Sequence, residues 1–287
     1  MNSKNDLIIS PRLAKNFRRN FIERMIEFGL LCSGIVAIFI TLAIVYVLVS
    51  EAIPFFEYVS IKEFLTDTVW TPNYSIKHYG ILPLISGTLT TTGIALIVAV
   101  PLGTITAIYL SEFATHKVRE IIKPILELLI GVPTVVFGYF ALMLVTPMLQ
   151  KIYPDLTTFN MLGPGIVMGI MIVPYIASVA EDSMRAVPMA MREGAYAMGA
   201  TRFQTAVRVI TPAAISGIVA AYILAISRAV GETMIVAIAA GQQPNFTFNP
   251  VESAATITSY IVSVALGDLE HDGIGYQSIF AAGLTLL

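Results

Sequence analysis

Charge is what this sequence has least of. Asp, Glu, Lys and Arg make up 13% of its 287 residues, against about 25% in a soluble domain, and that deficit excludes an ordinary water-soluble fold. Cysteine is nearly absent: Cys32 stands alone inside an apolar run, which rules out an intrachain disulfide and a cysteine-based metal site. The three histidines, His78, His116 and His271, lie far apart with no partner at metal-ligand spacing, so no metal is expected here and their rings are expected to be exposed. No G-x4-GK[ST] segment for cradling phosphates occurs, so ATP hydrolysis, if used, must come from another chain. A net charge of −2 with a pI near 5.9 lacks the basic face that a nucleic-acid partner demands.

What the sequence has instead is apolar length. Hydrophobic residues make up 56% of the chain, its mean hydropathy is +0.79, and the few charges are segregated between long uncharged runs. The first run, Phe28 to Ser50, is long enough to cross a ~30 Å hydrocarbon core and longer than the roughly 7–15 residues of a signal-peptide core. Further spans are predicted at Ile81 to Leu110, Ile125 to Leu149, Met161 to Ala180 and Ala213 to Gly241, and Ile279 to Leu287 begins a sixth that is cut short, as though the chain were a piece of a longer one. The fold class is therefore all-α, a polytopic transmembrane helical bundle in a lipid bilayer. Ala254 to Leu266 is too short to span and is expected to form an interfacial or re-entrant helix. Pro101, Pro133 and Pro174 inside spans imply kinks or breaks satisfied by neighbouring helices. The small and hydroxylated residues from Ser86 to Gly93 suit close helix packing.

Cations fix the expected orientation, because Lys and Arg in short loops stay on the cytoplasmic side. With the N-terminus inside, Lys4, Arg12, Lys15, Arg18, Arg19, Arg24, Lys117, Arg119, Lys123, Arg185, Arg192, Arg202 and Arg208 all fall on that side, while only Lys62, Lys77 and Lys151 fall outside. The chain thus divides into a cytoplasmic N-terminal segment, 1–27, and a single transmembrane domain, 28–287. Within that domain the loops 51–80 and 242–278 are expected outside and the segment 185–212 inside.

The inside segment 185–212 has the local signals of two short helices. Pro188 suits a first helical position, Gly199 a C-terminal cap, and Thr201 with Gln204 a capping box that starts the second helix before Pro212. The same stretch resembles the EAA loop of ABC importer permeases, E-A-A-x3-G-x9-I-x-L-P. Glu193, Ala195, Gly199 and Pro212 match at the family spacing, while Gly194, Val209 and Thr211 depart from it. The resemblance implies a type I ABC importer permease (MetI-like) bundle whose loop docks into a cleft on a cytoplasmic ATPase, with Arg192, Glu193, Gly194, Ala195, Gly199, Ala200 and Arg202 as the coupling residues. A solvated connector is the plainer alternative.

Arg228 falls near the middle of the fifth predicted span. An arginine there costs roughly 2.5–3.5 kcal/mol on insertion scales, so it must face protein or water. Glu232 is four residues on, which places both on one helix face if the helix is continuous. The planar donor fork of Arg suits an oxyanion, with Glu232 holding it in place and limiting retention; a buried pair that merely fixes packing is the alternative. No catalytic residue is assigned, since Glu232 has no second carboxylate, His or Cys beside it.

The segments Tyr79 to Thr88, Val100 to Gly103, Ala107 to Phe113, Lys123 to Leu128 and Ser227 to Met234 together resemble the PstC permease family of phosphate-specific ABC transporters, nearly end to end from about Phe17. That resemblance implies phosphate as substrate, and Arg228 and Glu232 in its passage. It also implies a sister permease (PstA-like), two cytoplasmic ATPase subunits (PstB-like) that use ATP-Mg, an extracytoplasmic phosphate-binding protein (PstS-like), and a multi-pass place in a bacterial inner membrane. A permease for sulfate or molybdate, an ion-coupled secondary transporter and an intramembrane hydrolase remain as alternatives. Glu181 and Asp182 are expected to be a solvated helix end, and Glu127 is unassigned.

Overall fold

The computed structural model describes residues 12–72, 74, 76–268 and 273–287, with side chains from Asn20 onward except that of Asp268. His271 and residues 1–11 of the expected N-terminal segment lie outside the described residues, as do parts of the expected loops 51–80 and 242–278. Helix α1, Arg12–Tyr58, carries the first apolar run without interruption. As far as Glu51 it forms a unit of its own, with Phe28, Leu31, Ile35, Phe39 and Leu42 exposed on all sides. A helix that is apolar all round is suited to lipid or to another subunit.

The second unit runs from Ala52. It opens with the last two turns of α1 and the short helix α2, Ile61–Thr66, started by the Ser60 side chain. Phe55, Phe64, Trp70, Tyr79 and Tyr260 stack edge to face there, with ring centroids 5.0 to 6.3 Å apart. His78, expected to be exposed, keeps 44% of its side chain exposed while its Nδ1 lies 3.1 Å from Asp67 Oδ2 at the edge of this corner.

The bundle itself follows: α3, Leu82–Ile108; α4, His116–Ile130; α5, Thr134–Gln150; α6, Leu162–Arg185; α7, Met189–Ala197; α8, Arg202–Ala213; α9, Ile215–Val230; α10, Met234–Ala239; α11, Ile257–Gly267; and α12, Ile274–Leu284. No strand is present among the described residues. Helix α6 is central, sharing with α3, α9 and α10 a core of Ala95, Ala99, Met168, Met171, Ile172, Ile176, Ala225, Ala229 and Ile235. Glycine makes the α3–α6 approach possible: a Cβ on Gly169 would lie 2.7 Å from Val98 Cβ and 2.8 Å from the Ala95 carbonyl oxygen, closer than packed atoms sit.

Two predicted spans are not continuous helices. Ile125 to Leu149 is divided between α4 and α5, which meet at 88° across Gly131–Pro133. Gly131 closes α4, and Pro133 disfavours helical backbone at Val132 before it. The apolar side chains of α4 read as a continuation of the span, yet Ile121, Ile125 and Leu128 lie exposed on one side while Arg119 and Lys123 turn inward. Ala213 to Gly241 is interrupted twice, by a 74° bend between α8 and α9 and by the non-helical residues 231–233 between α9 and α10. Among the described residues, three helices, and up to five if each bent pair counts once, are long and apolar enough to cross a membrane. The start of the predicted sixth span falls within α12, which ends at Leu284.

Candidate functional site

Arg228 and Glu232 meet, although not on one helix face. Helix α9 stops at Val230 with Gly231 as its cap, whose amide donates to the Ser227 carbonyl at 3.1 Å, and the pair spans the break that follows. The Glu232 side chain is 1% exposed and that of Arg228 32%. One carboxylate oxygen, Oε1, accepts from the amides of Met234 and Ile235 at 3.2 and 3.3 Å and so starts α10. The other, Oε2, lies 2.7 Å from Arg228 Nη1, an ionic contact not aligned as a hydrogen bond. The buried carboxylate thus meets a cation at one oxygen and two backbone amides at the other. The Arg228 guanidinium retains donors that meet no partner among the described residues, which suits a second anion.

The segment 185–212 forms the two helices its signals specify. Gly199 adopts φ +83°, and the amides of Gly199 and Ala200 reach the carbonyls of Tyr196 and Ala195 at 2.9 and 3.1 Å, closing α7 with a left-handed cap. Both arms of the Thr201–Gln204 capping box are made, whereas Pro188 stands one residue before α7 rather than inside it. Glu193, Gly194, Gly199 and Arg202 are exposed, and Ala195 and Ala200 half-buried. Met189, Met198 and Phe203 project from the same knob, with Met198 89% exposed. Arg192 points the other way. Its side chain is 11% exposed, its Nη2 lies 3.0 Å from Glu112 Oε1, and it donates to the carbonyls of Met184 and Val187. It therefore ties the knob to the ends of α3 and α6.

Glu181 overturns the expectation of a solvated helix end. Its side chain is fully buried, with Oε1 2.8 Å from Arg119 Nε and 3.8 Å from Arg185 Nε, and Oε2 3.0 Å from Lys123 Nζ. Lys123 also donates to Asp182 at 2.7 Å, and Asp182 remains exposed. The cause is α4: turned back by the break at Gly131–Pro133, it lies over the end of α6 and covers the carboxylate with two cations. Only the pairing of charge signs near two helix ends hinted at this, because the partners are 58 residues apart. Glu127 is exposed on α4. Among the described residues no group of His, Cys, Asp and Glu is arranged to hold a metal ion.

Residues 99–287 match the family of binding-protein-dependent transport system inner membrane components. The chain is 35% identical over 229 residues to the probable ABC transporter permease protein YqgH of Bacillus subtilis, covering 80% of this chain and 74% of that one. It is 32% identical to the phosphate transport system permease protein PstC of Haemophilus influenzae, over 95% of this chain and 90% of the relative. In fold it resembles a bacterial ABC transporter involved in the import of the acidic polysaccharide alginate, with a TM-score of 0.62 at 19% identity over 96% of this chain and 92% of that one. The chain belongs to the family of binding-protein-dependent transport system inner membrane components and, within it, to the PstC group.

Proposed function

We propose that this chain is the membrane-spanning permease subunit of an ATP-driven phosphate importer. It is a non-catalytic subunit, and phosphate passes along a path that includes Arg228 and Glu232. The observation that carries this reading is the partly exposed guanidinium of Arg228 beside the buried carboxylate of Glu232 at a break between helices. A mid-membrane charge with spare donors fits transient oxyanion binding better than permanent packing, and the names of the PstC relatives point to phosphate. The exposed knob around Glu193, Gly194, Ala195, Gly199, Ala200 and Arg202 is the docking surface for a cytoplasmic ATPase pair that uses ATP-Mg, while Arg192 stiffens it from behind. A PstA-like sister permease, two PstB-like ATPase subunits and a PstS-like extracytoplasmic phosphate-binding protein complete the complex. The N-terminal segment 1–27 and the segment 185–212 lie on the cytoplasmic side of a bacterial inner membrane, with 51–80 and 242–278 outside.

The test is ATP-dependent phosphate uptake by vesicles holding the full-length chain with its sister permease and ATPase. Arg228→Gln is expected to lower uptake at least tenfold while assembly and basal ATP hydrolysis persist. Unchanged uptake makes the pair structural. If the wild type imports sulfate or molybdate but no phosphate, the substrate assignment falls.

A further inference from the structure

The backbone at the break between α9 and α10 has its own anchor. The first main-chain bond of α10 runs from the Ala237 amide to the Thr233 carbonyl at 2.9 Å, one residue beyond Glu232. The buried Glu232 carbonyl instead accepts from the hydroxyl of Thr258, at 2.7 Å. A buried carbonyl stripped of its donor costs about 1–3 kcal/mol, so this contact holds the break in place.

Thr258 is itself held firmly. It sits in the first turn of α11, which Thr256 and Ser259 close with a two-armed capping box, and its Oγ1 lies 3.1 Å from that of Thr256. The preceding amide, Ile257, donates to Thr88 Oγ1 on α3 at 3.1 Å, and Thr88 Oγ1 in turn donates to the Leu84 carbonyl at 2.8 Å. Gly87 lets the two segments approach, because any Cβ there would run into the Ala255 carbonyl. An α3–α11 platform thus ends in one hydroxyl aimed at the residue whose carboxylate faces Arg228.

We propose that Thr258 is a positioning residue for the Arg228–Glu232 pair, an inference that rests on the phosphate reading above. With the main chain of Glu232 fixed, Oε1 stays on the Met234 and Ile235 amides and only Oε2 reaches Arg228. Released from Thr258, the carboxylate is free to close on the guanidinium with both oxygens, the geometry that Arg and carboxylate prefer. That closure competes with an oxyanion for the same donors.

The experiment compares Thr258→Val and Thr258→Ser with wild type in the assembled transporter, by hydrogen exchange of the Met234 and Ile235 amides and by the phosphate dependence of uptake. Thr258→Val is expected to speed exchange at those amides and to raise the KM for phosphate, each about tenfold, with basal ATP hydrolysis unchanged; Thr258→Ser, which keeps the hydroxyl, returns both to within about twofold of wild type. Should Thr258→Val not assemble, Thr88→Val, which releases the Ile257 amide, is expected to move both readouts in the same direction. Unchanged exchange, faster exchange with an unchanged KM, or a serine variant that behaves like valine overturns the proposal. If wild type takes up no phosphate while exchange responds as expected, the phosphate reading fails and the hold of Thr258 on Glu232 stands.

Discussion

Replacing Glu181 with glutamine preserves its shape and removes the negative charge that lies 2.8 Å from Arg119 Nε. In wild type the fully buried carboxylate contacts Arg119 and Lys123 at 2.8 and 3.0 Å, and those cations are themselves 21% and 25% exposed. Removing one partner of a fully buried pair costs about 3–5 kcal/mol, mostly through the charge left behind. Here the stranded cations keep some water, Lys123 keeps Asp182, and the Arg119 contact is not aligned as a hydrogen bond. All three lower the cost, to about 2 kcal/mol. At roughly 2–4 °C per kcal/mol for a chain of this size, Glu181→Gln is expected to lower Tm by about 4–8 °C in detergent. Arg119→Gln is expected to cost a similar amount. The double variant strands no charge on this axis, so it should lose about 2 kcal/mol rather than the 4 expected of independent sites. A Tm within 1 °C of wild type, or fully additive losses, would refute the argument that α4 is clamped to α6 through this carboxylate.

Other substitutions probe other parts of the fold. Gly169→Ala places a Cβ against the Ala95 carbonyl, which as main chain cannot swing aside, so a loss of about 1–3 kcal/mol is expected in thermal melting. Gly194→Ala meets nothing within 4 Å and replaces a helical glycine, so it should stabilise the isolated chain by about 0.5–1 kcal/mol. Because Ala is the residue of the family pattern at that position, ATPase binding by that variant in a pull-down is expected to be unchanged. Met198→Asp, at the most exposed large apolar side chain of the knob, is expected to leave Tm unchanged and to lower ATP-driven uptake at least tenfold; normal uptake would remove Met198 from the contact. Thr201→Ala breaks the capping box and should cost about 1 kcal/mol, measured as faster amide exchange in the first turn of α8.

What could be read before folding was local. The Gly199 cap and the Thr201–Gln204 box depend on neighbours within a few residues, and both are formed. The apolar runs marked most of the long helices because hydropathy needs no tertiary partner. The turn at Gly131–Pro133 was visible as a proline but not as an 88° bend, since the angle is set by what α4 covers. Glu181 failed for the same reason, its burial being imposed by Arg119 and Lys123 from another helix. Arg228 and Glu232 stood out by charge and spacing, whereas the end of α9 between them did not, because Gly231 inside an apolar run reads as ordinary helix packing. Thr258 carried no signal of its own: it is one hydroxyl among many, and its meaning lies in a carbonyl 26 residues away.

The 74° bend between α8 and α9 has a mechanical side. Helix α8, Arg202–Ala213, is π-helical over Ala206–Ile210 and about 18 Å long at α-helical rise, joined to the knob through a corner formed by the Gly199 cap and the Thr201 box. Because the two helices stand nearly at right angles, thrust along α8 reaches α9 chiefly as a sideways load, with little left along the α9 axis. If the knob receives an ATPase as proposed, the joint is a bell crank that turns a push there into a tilt of the helix carrying Arg228.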